Sequence, residues 1–284
     1  MDDKEITRGI VELIRTAETT LPKDVITALK KAYTTETGIA KLQLATILDN
    51  IRLAAQTHQP LCQDTGIQTF FLNVGTDFPS IDRIQPWLQK GLAKAITAVP
   101  LRPNAVDPLT RTNGDDAKPS PVLYWSLVPG DSLHIHALPK GSGSENTSRL
   151  AMLNPSDGID GIKKTVVDTV TRAGGRPCPP TIVGVGIGGD AATALKLGKT
   201  ALLRPVGRRH PDPAVARLEK DLISECNKTG IGPMGLGGKT TVLDVHIQTV
   251  PCHPAGLPVG VAMQCWADRR AHITIRANGT WEVR

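Results

Sequence analysis

The stretch that most restricts the fold is Thr181–Ile187, TIVGVGI, an unbroken apolar run bounded by glycines and prolines. Side chains on a strand alternate between faces, so a run apolar at every position reads as a strand buried on both. Its flanks carry helical periodicity. GIDGIKKTVVDTVTRAG precedes it, closed by Gly174 and Gly175, and AATALKLGKTALL and DPAVARLEKDLISECNKTG follow. A buried strand set among amphipathic helices specifies a layered α/β protein.

The rest of the chain agrees. Residues 1–58 are helical in pattern: Ile6, Ile10, Leu13 and Ile14 keep helical spacing, as do Val25, Leu29 and Ala32, and IAKLQLATILDNIRLAAQTH runs on to Pro60. IQTFFLNVG reads as a strand and SIDRIQPWLQKGLAKAITAV as a helix. PLRPNAVDPLTRTNGDDAKPSP is loop by its Pro, Asn and Asp content, and it is longer than most connections. VLYWSLV and SLHIHAL read as a hairpin turning at Pro129–Asp131, and KGSGSENTS as loop. TTVLDVHIQTV, GVAMQ, HITIRAN and TWEV make the last third strand-rich. No repeat or linker interrupts the pattern. The expectation is one mixed α/β domain over 1–284, with residues 1–58 as a helical N-terminal layer on a mixed β-sheet core. Aromatics are only 3% of the chain, so that core must be built from Leu, Ile, Val and Ala.

Charge excludes some functions. The net charge is +6, from 33 basic and 27 acidic residues without a basic run, so a nucleic-acid arm is not indicated. The amphipathic, charged N-terminus lacks the apolar segment of a signal peptide, and no stretch approaches the roughly 20 apolar residues of a membrane span. Cytoplasmic residence is expected, and with it reduced cysteines.

Two glycine patterns invite a nucleotide. Gly184, Gly186 and Gly189 satisfy G-x-G-x-x-G between a strand and a helix, but no strand ending in Asp or Glu follows about 20 residues on. A tight strand-to-helix turn is the plainer reading, with room for an anion at the helix N-terminus. GLGGKTT fails as a phosphate loop because Pro233 stands where glycine is required and the residues after Lys239 read as strand. His134 and His136 share one strand face, without a third metal ligand nearby in sequence.

Five cysteines are widely spaced, with no C-x-x-C pair, which disfavours a zinc ribbon or a thioredoxin site. Cys226 continues the apolar face of Val215, Leu218 and Leu222 and reads as core. The others stand on loops or strand ends: Cys62 in PLCQDTG, Cys178 in GGRPCPPT, Cys252 in PCHPAG and Cys265 after VGVAMQ. Widely separated thiols can meet in a fold and hold an iron–sulfur cluster, and three ligands would leave one iron open for Lewis-acid chemistry. Buried structural thiols are the alternative.

Taken together, PLCQDTG (60–66), LRPNAVDP (101–108), KGSGSEN (140–146), CPP (178–180) followed by GVGIGGD, LRPVGRRHPDP (203–213), GIGPMGLGGKTTVLDVHI (230–247) and HPAGLPVGVAMQCWADRR (253–270) resemble the α half of the iron–sulfur class I fumarases and the related tartrate dehydratases. The resemblance covers nearly the whole chain. It implies a [4Fe–4S] cluster on Cys62, Cys178 and Cys265, with Cys252 a rival for the third place and Cys226 no ligand. It implies that Gln63 and Asp64 face the substrate, that Arg102 binds a carboxylate, that the glycine loop of Gly141 and Gly143 offers backbone N–H groups, and that His253 hydrogen-bonds a carboxylate or the transferring hydroxyl. Thr65 and Gly66 lead into the next strand.

The activity implied is reversible hydration of fumarate to L-malate. L(+)-tartrate dehydration is the close alternative, and fumarate is favoured because LRPNAVDP and KGSGSEN are the more fumarase-like. The family's general base belongs to the β half, and this sequence ends at Arg284 without room for one. An α subunit needing a separate β subunit, in an α2β2-type oligomer, is therefore expected. A chain serving only as a cluster-carrying assembly partner, and a nucleotide enzyme using the Gly184 turn, are the competing classes.

Overall fold

The computed structural model describes residues 1–115 and 119–284. In chain order the elements are α1 (Asp3–Thr19), α2 (Lys23–Thr35), α3 (Gly38–Thr57), β1 (Ile67–Gly75), α4 (Ile84–Ala98), β2 (Val122–Val128), β3 (Leu133–Lys140), α5 (Ser142–Glu145), β4 (Arg149–Leu153), α6 (Gly158–Ala173), β5 (Thr181–Gly189), α7 (Ala191–Ala201), α8 (Pro213–Asn227), β6 (Val242–Cys252), β7 (Leu257–Gln264), β8 (Ala271–Ile275) and β9 (Trp281–Val283). The fold is mixed α/β with two mixed sheets. The chain divides into two compact units, one of Met1–Pro22, Asn50–Gly141 and Arg269–Arg284, the other of Lys23–Asp49 and Ser142–Asp268.

The first unit is built on a five-stranded sheet in the order β2-β1-β3-β8-β9. β1 runs parallel to β2 and antiparallel to β3. Leu72, Ile135 and Ile273 lie in register across three strands and turn one sheet face into the core. Ile6, Ile10, Leu13 and Ile14 of α1 and Trp87, Leu88 and Leu92 of α4 cover that face. On the opposite face Phe71 stacks on Tyr124 with ring centroids 4.9 Å apart, and His136 on His272 at 5.4 Å.

The expected hairpin of VLYWSLV and SLHIHAL does not form, because β1 lies between them. The 129–132 turn caps the end of β1 instead: Gly75 N–H donates to Ser132 O and Asp77 N–H to Gly130 O, both at 2.9 Å. Burial decides the order. β1 is buried on both faces and takes the interior place, while β2 exposes Trp125, Ser126 and Leu127 and takes the edge. The long loop before β2 contains one antiparallel bridge, Val106 with Asn113; the part of the loop reading that falls on residues 116–118 lies outside the described residues.

The second unit has a four-stranded sheet in the order β4-β7-β5-β6. The run TIVGVGI is its interior strand β5, parallel to β6 and antiparallel to β7, as its apolarity on both faces requires. Val166 and Val170 of α6 and Leu222 and Cys226 of α8 join Val183, Val185, Val245 and Val261 in one core. Strand β4 was not foreseen, and the KGSGSENTS loop contains the short helix α5.

Candidate active site

In the first unit the cysteine loop is fixed from below before it reaches Cys62. Leu61 donates its N–H to Glu18 O at 2.8 Å, and its own carbonyl accepts Asn50 Nδ2–H at 2.9 Å. Cys62 is then half-buried, Gln63 exposed and Asp64 half-buried. Asp64 Oδ1 accepts the N–H of Gly66 at 2.9 Å, an aspartate turn that reverses the chain into β1. Only glycine fits there: its φ is +70°, and a Cβ would stand 2.6 Å from Lys140 O. Gly141 follows β3 and lies against the same carboxylate, since a Cβ on it would sit 2.9 Å from Asp64 Oδ2. The structure thus brings Asp64 and the Gly141 backbone together. Arg102 has an exposed side chain with no ion pair to a described residue.

Beneath Asp64 lies a buried charged group that the sequence reading did not single out. Glu18 and Arg269 are 0% and 1% exposed, with Arg269 Nη1–H donating to Glu18 Oε2 at 2.7 Å. Gln68 Nε2–H donates to Glu18 Oε1, also at 2.7 Å. Burial raises the Glu18 carboxyl above its ordinary range, Arg269 and Gln68 oppose that shift, and Asp64 adds to it. The signal was present in the sequence: Glu18 continues the series Ile6, Ile10, Ile14 at intervals of four, an acid on an apolar helix face.

In the second unit the structure joins the other two cysteine segments. Cys178 O accepts the N–H of Trp266, the residue after Cys265, at 3.2 Å. Cys178 N–H donates to Gly175 O at 3.0 Å, and φ at Cys178 is +52°, left-handed backbone that a residue with a Cβ adopts at a cost. Cys265 stands just past the end of β7, with Sγ 3.5 Å from Ala267 O. Both thiols are partly exposed, and none of the five cysteines is in a disulfide. Gly143 on α5 approaches this region of the unit: a Cβ there would be 2.5 Å from Arg176 O. Within either unit, among the described residues, no three His, Cys, Asp or Glu side chains are gathered around a metal position.

His253 is exposed on the turn between β6 and β7. Its Nδ1 accepts the N–H of Ala255 at 3.1 Å, so the neutral ring carries its proton on Nε2 and presents a donor. Cys252 beside it is exposed, with Sγ donating to Gly256 O at 3.3 Å. Cys226 is fully buried in the core, and burial pushes its thiol up to about 12, with Glu225 adding to the shift.

The glycine patterns have structural explanations. A Cβ on Gly184 would be 2.0 Å from Gly198 O, and one on Gly186 2.1 Å from Ala194 O, so these glycines admit α7 against β5. The N-terminus of α7 is capped by Asp190, whose Oδ1 accepts Thr193 N–H at 2.7 Å, leaving a carboxylate where an anion would have bound. In GLGGKTT the N–H groups of Lys239 and Thr240 donate to buried Glu36 at 2.8 and 2.6 Å. The third histidine missing from the sequence pattern is His272, brought opposite His136 by β8. Among the described residues these histidines do not form a group of three ligands around one position, and burial, then His272, His134 and Arg270, lower His136 to about 4.

Comparison of the sequence with known proteins identifies the family. The sequence model of the fumarate hydratase (fumerase) family matches residues 7–274. A putative L(+)-tartrate dehydratase subunit alpha of Methanocaldococcus jannaschii is 50% identical over 274 residues, 94% of this chain and 96% of that protein. The L(+)-tartrate dehydratase subunit alpha of Escherichia coli strain K12 is 36% identical over 282 residues, 98% of this chain and 93% of that one. The chain therefore belongs to the fumarate hydratase family, as a hydro-lyase of its fumarate hydratase/tartrate dehydratase α-subunit branch.

Proposed function

We propose that this chain is the α subunit of an iron–sulfur hydro-lyase that acts on a four-carbon dicarboxylate together with a separate β subunit. The observation that carries the reading is the meeting of two thiol segments 87 residues apart in sequence (265 − 178), held by the Trp266 N–H to Cys178 O bond. Partly exposed, soft thiols outside any disulfide fit an iron–sulfur cluster, and Cys62 has the same character. Cys62, Cys178 and Cys265 would hold the cluster. When bound by three thiolates, a [4Fe–4S] cluster supplies Lewis acidity at its fourth iron.

The remaining roles belong to this chain's own groups. Arg102 offers a planar, permanently charged fork to a substrate carboxylate. Gly141 and Gly143 present bare backbone where a side chain would collide. Gln63 and Asp64 hydrogen-bond the substrate, Asp64 aimed by its turn with Gly66. His253 donates through Nε2–H to a carboxylate or to the hydroxyl that leaves. The proton on the neighbouring carbon goes to a general base on the β subunit. Cytoplasmic residence and an α2β2-type assembly belong to the same reading; among the described residues no helix is long and apolar enough to cross a membrane.

L(+)-tartrate is the better supported substrate, because the relatives at 50% and 36% identity carry that name. It would lose water to give an enol that tautomerises to oxaloacetate. Fumarate hydration to L-malate is the second reading, favoured by LRPNAVDP and KGSGSEN. The test is anaerobic co-production with a β-type chain from the same genome, reconstitution with iron and sulfide, and assays on both tartrate enantiomers, fumarate and L-malate. Activity on L(+)-tartrate that needs both chains supports the first reading. Higher kcat/KM on fumarate would replace it with the second. Full activity of the α chain alone would overturn the subunit assignment, and inactivity of the loaded pair on all four would leave a cluster-carrying assembly partner.

A further inference from the structure

The loop that carries Asp64 and the loop that carries Arg102 meet at one hydroxyl. Thr65 Oγ1 accepts the backbone N–H of Arg102 and the Nδ2–H of Asn104, both at 3.1 Å. The Asn104 amide also reaches Gly66 O at 3.3 Å. Leu101 N–H donates to Ile96 O at 2.9 Å, so the backbone is held on both sides of an Arg102 side chain that is itself exposed. Thr65 is 2% exposed, and its two donors would lose their acceptor without easy replacement by water. Thr65, Gly66, Arg102 and Asn104 all border one cavity of about 180 Å³ in the first unit.

A long side chain can deliver its charge only as accurately as its Cα is held, and binding geometry that slips by an ångström is expensive. We propose that Thr65 is a positioning residue: its hydroxyl fixes the backbone of Arg102 to the aspartate turn, so that the guanidinium and the Asp64 carboxylate present themselves to the dicarboxylate from one frame. Thr65 itself touches no reacting atom. The β-branched side chain has a stiff χ1, which keeps the acceptor in place for both donors. This inference rests on the role given to Arg102 above.

The test uses the reconstituted α/β enzyme. Thr65→Val keeps the shape and deletes the acceptor. Its KM for the dicarboxylate should rise about tenfold with kcat nearly unchanged, the effect of losing two ordinary hydrogen bonds that act through binding. Thr65→Ser should restore KM to near the parent value. In an Arg102→Ala background Thr65→Val should add no more than about twofold, because both changes remove the same contact. Amide exchange across residues 101–105 of the α chain should quicken in Thr65→Val and not in Thr65→Ser. If Thr65→Val does not fold, Asn104→Ala removes one of the two bonds and should raise KM about threefold. A parent-like KM in Thr65→Val, full multiplication of the two effects, or equal damage from Val and Ser would each overturn the proposal. If the parent pair turns over no four-carbon dicarboxylate, the functional reading has failed, and the exchange measurement still decides whether Thr65 holds the loop.

Discussion

Cys178 is held in a backbone conformation that suits glycine. Its φ is +52°, and hydrogen bonds on both sides, N–H to Gly175 O at 3.0 Å and O from Trp266 N–H at 3.2 Å, keep it there. A Cβ in the left-handed region costs about 1–2 kcal/mol. Glycine removes that cost but gives back about 0.4–1 kcal/mol through its freer unfolded chain. Cys178→Gly should therefore be more stable than Cys178→Ala by about 0.5–1 kcal/mol. Both lack the sulfur, so the contacts of the thiol cancel in the comparison. In a protein of this size that difference corresponds to about 1–4 °C in Tm. Urea and thermal unfolding of the two iron-free chains measure it, and iron assays after reconstitution should find both depleted. The strain would then be a cost retained for the sake of the thiol. An alanine variant as stable as the glycine variant would refute this reasoning.

Gly184→Ala should destabilise the second unit by about 1–3 kcal/mol or more, because its Cβ would lie 2.0 Å from Gly198 O and drive α7 off the sheet; urea unfolding reads the loss. The parent chain should show no thermal shift with nucleotides, since those glycines serve packing. His136 resists protonation down to about 4, whereas the unfolded imidazole takes up a proton near 6.5. The stability it confers is fully present above 6.5 and falls away as the pH drops toward about 4. The loss is at most about 3–4 kcal/mol, and His136→Asn should flatten that part of the stability–pH curve. A brief thiol-alkylation pulse on the native chain, followed by mass spectrometry, should label exposed Cys252 and spare buried Cys226.

Periodicity made most elements legible. The spacing of Ile6, Ile10, Leu13 and Ile14 marked α1, and the apolar run Thr181–Ile187 marked the interior strand of a sheet flanked by helices. Pairing was less legible, because nothing local in VLYWSLV says that β1 will lie between it and β3. That order follows from the burial of β1 on both faces, a property of the assembled sheet. At the site, Asp64, Gly141 and Arg102 were named from their motifs, and the first two meet as a close contact. Their supports were not named. Glu18 is 46 residues from Asp64 (64 − 18) and Arg269 lies near the other end of the chain. Thr65 was read only as a step into the next strand, since a single threonine gives no sign of which backbone it will hold.

The central claim is that Cys62, Cys178 and Cys265 carry the metal. The most direct measurement is iron and acid-labile sulfide per chain, determined anaerobically after reconstitution for five single Cys→Ser variants. Serine at 62, 178 or 265 should lower both contents and bleach the visible absorption of the cluster, and serine at 226 or 252 should leave them at the parent level. Full iron in the 265 variant together with loss in the 252 variant would move the third ligand to Cys252, and parent-level iron in all five would contradict the account.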